Sequence, residues 1–301
     1  MPTPPGSTGH PVPPAPRVPV VLLTDFGLKD PYVGQMKGRI LSLSPYARIV
    51  DLCHEVNAFD VVQAGFFLAA SRASFPPGAI FVAVVDPGVG TARRIALLET
   101  RGQRFLAPDN GLLAFLLREG ESATAWDVTP RPGADPAVGG RVDLGVAGGV
   151  DPALAGCAAP SATFHGRDVF APLAARLANG VPADGLGPEI PLSSLVRPSQ
   201  GEPVLTPGGV RARVLHVDRF GNCVLNLPCE ALAKTAPGAF GFTLAVPSRR
   251  PLMSATTYDD IAPGSVGILK GSQGYWELAV NRGSAAAWLG LAPGDAVVIE
   301  F

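Results

Sequence analysis

Asp86 and Arg93 lie seven residues apart in Val84-Val85-Asp86-Pro87-Gly88-Val89-Gly90-Thr91-Ala92-Arg93-Arg94. The apolar run Ala79-Ile80-Phe81-Val82-Ala83 ahead of them reads as a buried strand. An acid at a strand end, a glycine-containing turn and two arginines thus share one loop. In an open α/β sheet, loops beyond the carboxyl ends of strands hold ligands, so Asp86 and Arg93 are expected to face a small molecule. The loop has neither the Gly-Lys-Ser/Thr ending of a phosphate loop nor a three-glycine dinucleotide fingerprint. An acid at its head repels phosphate and suits a ribose diol or an organised water better.

Other polar residues stand at expected strand ends or in turns. They are Asp25, Asp30, Asp109, Asn110 and His165 in the first half, and Asp218, Asn222, Ser272 and Asn281 in the second. Asp30 and Asp109 read equally as turn formers or caps. Arg94 and Arg167 read as structural partners, and His54 as a satisfied packing histidine. His10 falls in the tail and His216 in a strand, so neither is a candidate. There is no Gly-x-Ser-x-Gly elbow and no histidine pair at metal-ligand spacing, so metal-free chemistry is expected.

The elements that must position these residues change character along the chain. Residues 1–17 are proline-rich and are expected to be a disordered tail. Residues 18–191 alternate strands with helices, which predicts an α/β domain with a mainly parallel sheet. Its strands are expected at 18–23, 47–52 and 79–83, with a hairpin turning at Thr100-Arg101-Gly102-Gln103. Helices are expected after a capping Asp30-Pro31, over 59–72, over 110–117 and over 169–179. Residues 130–160 are rich in Gly, Pro, Ala and Asp and read as a loop insertion. Residues 192–208 read as a linker, and short strands over 209–301 predict a smaller β-barrel-like domain.

The chain has 301 residues, 47% hydrophobic and 16% charged, with a net charge of −1. That balance predicts a dense core and favours neither nucleic acid nor an acidic membrane as partner. Cys53, Cys157, Cys223 and Cys229 have no paired spacing, which suits reduced thiols in a cytoplasmic protein. No apolar run reaches membrane-spanning length, and the first residues lack a signal-peptide pattern.

Six motifs occur in order: Thr24-Asp25-Phe26-Gly27, the 85–93 loop, Ala107-Pro108-Asp109-Asn110-Gly111-Leu112-Leu113, Phe164-His165-Gly166-Arg167-Asp168, Asp218-Arg219-Phe220-Gly221-Asn222, and Gly271-Ser272-Gln273-Gly274-Tyr275 with Ala279-Val280-Asn281 after it. Together they resemble the S-adenosylmethionine (SAM) hydroxide adenosyltransferases, the adenosine-forming SAM hydrolases related to SAM-dependent fluorinase and chlorinase. The resemblance spans residues 18–301 apart from 130–160. It implies an α/β domain followed by a β-barrel, and a homotrimer with SAM bound between subunits. It implies attack of water or hydroxide on ribose C5′, giving adenosine and L-methionine, with SAM as substrate and no cofactor. The family's catalytic Asp-Arg-His set falls on Asp86, Arg93 and His165. Asp25 falls on the ribose-holding position, Phe59 and Phe220 on apolar walls, and Asp218, Asn222, Ser272, Val280 and Asn281 on the remaining ligand contacts. The halogenating relatives carry tyrosine at position 86 and serine at 166. Asp86 would repel a halide, which sets halogenation below hydrolysis. A non-catalytic adenosine or SAM sensor is the other alternative.

Overall fold

The computed structural model describes residues 18–117, 122–130, 160–198, 202–206, 208–231 and 241–301. The expected tail, and the expected loop insertion apart from its two end residues, lie outside the described residues.

The first half is built on a seven-stranded sheet of β1 (Pro19–Thr24), β2 (Arg48–Cys53), β3 (Ile80–Val84), β4 (Ile95–Thr100), β5 (Gln103–Pro108), β6 (Ala123–Asp127) and β7 (Glu189–Ile190). Their order is β2-β1-β3-β5-β4-β6-β7, and the pairings run five strands one way, with β4 and β7 reversed. Both faces are covered, so the central strands are apolar throughout rather than alternating. Val20 and Leu22 meet α1 (Tyr32–Leu43) and α3 (Ala171–Ala178) through Met36, Ile40, Leu173 and Leu177. Val21 and Leu23 face the other way, toward α2 (Val61–Ser71) through Ala64 and Leu68. The β4–β5 hairpin turns on Arg101 and Gly102, whose φ values of 51° and 70° suit a two-residue hairpin turn.

The second half is a closed barrel. It contains β8 (Val204–Thr206), β9 (Gly209–Val217), β10 (Cys223–Pro228), β11 (Phe242–Val246), β12 (Arg250–Ser254), β13 (Gly267–Lys270), β14 (Tyr275–Ala279) and β15 (Ala296–Glu300). Strands β9 to β15 follow the order β10-β14-β13-β12-β11-β15-β9, and β9 also pairs with β10 and shuts the ring. Inside lie Val210, Leu225, Leu244, Ile268, Leu278 and Val297, with α4 (Ala285–Leu289) at one end. Phe66 and Val62 of α2 pack on Leu215, Val224 and Tyr275, joining the two halves through an apolar seam.

Three expectations need correction. Pro31, not Asp30, is the N-cap of α1, and no side chain caps it, because Asp30 stands one residue too early. Within the expected linker 192–208, Val204–Thr206 forms β8, which pairs with β9. Residues 250–254, outside the strands expected in the second half, form β12, with Pro251 inside it.

Candidate active site

Strands β1 and β3 are parallel neighbours with Thr24 opposite Val84, so Asp25 and Asp86 leave the sheet side by side at its carboxyl edge. Asn110 Nδ2 donates to the Val85 carbonyl at 2.9 Å and fixes the strand end ahead of Asp86. The next turn is tied by Val89 N to the Asp86 carbonyl and by Thr91 Oγ1 to the Gly88 carbonyl at 2.7 Å.

Gly90 has φ +77°, and a Cβ there would sit 2.3 Å from the Ala162 carbonyl oxygen. Only glycine allows this approach, which presses the loop against the segment leading into His165. His165 heads a single π-turn over Gly166–Phe170, in which Ala171 N donates to the Gly166 carbonyl. Such turns insert an extra residue into a helix and recur at functional sites. A Cβ at Gly166 would lie 3.1 Å from Met36 Sδ and 3.2 Å from the Phe26 ring, so a larger residue requires those neighbours to shift.

Three sequence-distant side chains meet here. Arg93 Nε donates to Asp86 Oδ1 at 2.8 Å and Oδ2 at 2.9 Å, and its Nη2 also donates to Oδ2. The same Nη2 donates to His165 Nδ1 at 2.9 Å. The Arg93 and Asp86 side chains are only 10% and 5% exposed, so the pair is well desolvated. An arginine N–H can only donate, so Nδ1 is an acceptor and the neutral ring carries its proton on Nε2. Burial and then the Arg93 charge push the His165 pKa down, while Asp86 and Asp168 oppose them. His165 is therefore a neutral imidazole with an Nε2–H donor.

Asp25 is half-buried, and burial raises its pKa despite the bond it accepts from Phe59 N at 2.9 Å. Phe59 has φ +67° and is 70% exposed. A bulky residue in that region is strained, and the Asp25 bond helps hold it there. Behind Asp25, Thr24 Oγ1 bonds His54 Nδ1 at 2.8 Å, and His54 Nε2 meets Asp51 Oδ1 at 3.0 Å. His54 is thus the satisfied packing histidine expected. Asp109 pairs with Arg94 and accepts from Val196 N at 2.8 Å, which makes it structural.

The barrel carries the second group. Asp218 Oδ1 accepts from Phe220 N at 2.9 Å and Asn222 N at 2.8 Å, and Oδ2 accepts from Asn222 Nδ2 at 3.0 Å. Phe220 is 77% exposed. Ser272 is exposed in the β13–β14 turn, and Val280 is buried at the bridge to Gly283. Asn281 Nδ2 donates to the Ile261 carbonyl at 3.3 Å. The polar bonds of Asp86, Arg93, His165 and Asp25 stay within the α/β half, and those of Asp218, Asn222 and Asn281 stay within the barrel.

Sequence reasoning missed Tyr258 and Glu277, joined by a 2.6 Å bond in which the tyrosine hydroxyl donates. That bond first, and burial second, push Tyr258 up to about 12. Burial raises Glu277, and Asp218 adds to it. The available signal was an acid inside the apolar run Tyr275-Trp276-Glu277-Leu278-Ala279, every residue of which is buried. Among the described residues, no three His, Cys, Asp or Glu side chains form a group that could hold a metal ion, and no helix is long and apolar enough to cross a membrane.

Comparison with known proteins places the whole chain. Residues 20–187 match the SAM hydroxide adenosyltransferase N-terminal domain and residues 212–298 the C-terminal domain. An (R)-S-adenosyl-L-methionine hydrolase of Thermus thermophilus is 40% identical over 92% of this chain and 97% of its own. One from Salinispora arenicola is 40% identical over 90% of this chain and 94% of its own. A fluorinase of Nocardia brasiliensis is more distant, at 27% identity over 93% of this chain and 96% of its own. The crystal structure of an uncharacterized conserved protein from Thermotoga maritima superposes with a TM-score of 0.78 at 32% identity, covering 93% of this chain and 99% of that one. With both halves matched in order, the chain belongs to the SAM hydroxide adenosyltransferase family.

Proposed function

We propose that the protein hydrolyses SAM by attack of water or hydroxide on ribose C5′, releasing adenosine and L-methionine. The observation that carries this reading is the Arg93 fork, which binds Asp86 and His165 at once. The new bond joins the attacking oxygen to C5′ while the C5′–sulfur bond breaks and its electron pair leaves on sulfur. A sulfonium departs as a neutral thioether and needs no acid or metal, so SAM serves as substrate without a cofactor. What remains is to align and deprotonate one oxygen. Asp86 is the proton acceptor of the set, because His165 Nδ1 is occupied by Arg93. The His165 Nε2–H orients the oxygen, and Arg93 fixes both partners. Asp25 holds the ribose hydroxyls, Phe59 and Phe220 wall the nucleoside, and Asp218, Asn222, Ser272, Val280 and Asn281 supply the other contacts.

The active protein is proposed to be a homotrimer with each site between subunits. The confinement of each polar group's bonds to its own half and the exposure of Phe59 and Phe220 support that reading. A cytoplasmic protein with SAM as its ligand, and without nucleic-acid or membrane partners, fits the net charge of −1. Incubation with SAM, followed by chromatography of adenosine and methionine, tests the activity. No turnover above the uncatalysed rate overturns it and leaves a sensor. A 5′-halo-adenosine product formed with chloride or fluoride would instead establish the halogenase, which the buried Asp86 carboxylate disfavours. A light-scattering mass other than three chains overturns the trimer.

A further inference from the structure

His54 is only 4% exposed, and Thr24 is fully buried. Strands β1 and β2 run parallel with Leu23 opposite Cys53, so Thr24 and His54 leave the sheet as neighbours. His54 meets the end of β1 twice. Its Nδ1 lies 2.8 Å from Thr24 Oγ1, and its carbonyl accepts from Gly27 N at 2.7 Å. Asp25 and Phe26 are the two residues between those anchors. The side-chain bonds form one directed chain. Lys37 on α1 donates to Asp51 Oδ2 at 2.6 Å, and His54 Nε2 meets Asp51 Oδ1 at 3.0 Å. Burial works to raise the Asp51 pKa, but the bonds from Lys37 and then His54 hold it below the ordinary carboxylate range. An ionised carboxylate can only accept, so His54 Nε2 is the donor. In the neutral ring Nδ1 is then an acceptor, and the Thr24 hydroxyl donates to it. The same hydroxyl oxygen accepts from Phe26 N at 3.3 Å.

A buried polar ring costs stability unless it is bonded, and an apolar residue would fill the same space without that cost. What the histidine adds is a fixed geometry for the turn after β1. We propose that His54 is a positioning residue for the nucleoside: through Thr24 and Gly27 it holds the turn whose Asp25 receives the ribose diol. This rests on the reading of Asp25 as the diol contact. Thr24, Gly27 and Asp51 all belong to the α/β half of the same chain, so the clamp needs nothing from another subunit. His54 touches no reacting atom, so it acts on binding and not on the chemical step.

The test measures Kd for adenosine and for 2′,3′-dideoxyadenosine, KM and kcat for SAM, and the melting temperature. It uses the full chain and its Thr24→Val, Thr24→Ser, His54→Leu and Asp25→Ala variants. Thr24→Val and His54→Leu each raise the adenosine Kd and the KM for SAM roughly 10-fold, with kcat within about 3-fold of the parent. The dideoxyadenosine Kd stays within about 2-fold, because that ligand has no diol to lose. Thr24→Ser keeps the hydroxyl and stays near the parent. Thr24→Val adds little to Asp25→Ala, because both act through one contact. Variants that weaken both nucleosides alike, or that melt earlier with parental Kd for both, overturn the proposal and leave a purely structural bond. If His54→Leu does not fold, the two Thr24 variants decide. If Asp25→Ala leaves the preference for adenosine over dideoxyadenosine intact, the diol reading of Asp25 fails and takes the proposal with it. If Asp25→Ala removes that preference and Thr24→Val does not, the proposal alone fails. A parent that binds adenosine but leaves SAM intact ends the hydrolase reading, while the nucleoside series still decides the role of His54.

Discussion

Arg93 holds Asp86 and reaches His165 across 72 residues of sequence, whereas the Asp218 side chain holds residues two and four places along its own turn. The first network is buried and draws on separate segments of the α/β half. The second is built from hairpin turns, with Phe220 and Ser272 facing solvent. A charged group aimed at a reacting oxygen must be in place before reaction, since reorganising it would add to the barrier. Turn residues that hold a ligand's ends can adjust as it binds. On the proposed function, the contrast puts chemistry in the first region and recognition in the second.

The strongest way to break that division is Asp86→Asn. It should lower kcat by about 1,000-fold while SAM affinity changes little, measured by single-turnover product formation and equilibrium binding. Parallel loss of binding would make Asp86 a recognition residue after all. Gly90→Ala comes next, because it forces a Cβ against the Ala162 carbonyl in a left-handed backbone. We expect about 1–3 kcal/mol lower stability by denaturant unfolding and roughly 10-fold lower kcat as His165 moves. A variant with normal kcat would show that the two segments need no close contact.

The pH dependence sharpens the same contrast. Protonated His165 would point a donor at Arg93, and its pKa is held below the ordinary 6.5 by burial and Arg93. Activity should therefore hold steady above pH 6.5 and fall only on acidification below it. The stability gained from the neutral ring is likewise complete above 6.5 and lost as pH falls through the folded value. Asp168 raises this pKa, so Asp168→Asn should move the acid limb of kcat/KM further down; movement upward would contradict the assignment. The smallest effect belongs to the barrel: Ser272→Ala should raise KM by less than about 5-fold and leave kcat unchanged in steady-state assays.

Much of the α/β half was legible because chemistry-bearing residues sit where apolar runs end. Asp25 and Asp86 follow strands that are buried on both faces, and the turn at Arg101-Gly102 announces its hairpin. The order of the motifs supplied what no single glycine-rich loop could. What escaped notice depended on three-dimensional neighbours. Thr24 looks like any polar residue at a strand end, and its partner His54 lies 30 residues away. Glu277 sits in a strand whose apolar neighbours concealed it. Phe59 reveals its strain only through a backbone angle, and the short β12 contains a proline, which strands ordinarily exclude.

The barrel's closure carries a consequence for the time course of folding. Strand β9 pairs with β10, which follows it closely, but also with β15, joining Arg213 to Ala296. Until β15 is in place between β9 and β11, the ring is an open sheet with two bare edges. Pairings between distant strands are slow, because loop closure costs entropy before any contact offsets it. The sheet around β3, by contrast, gains the nearby β5 and the tight β4–β5 hairpin early. The long-range β9–β15 pairing is thus the step that closes the barrel, whereas the turns carrying Asp218 and Ser272 belong to local hairpins that need no such closure.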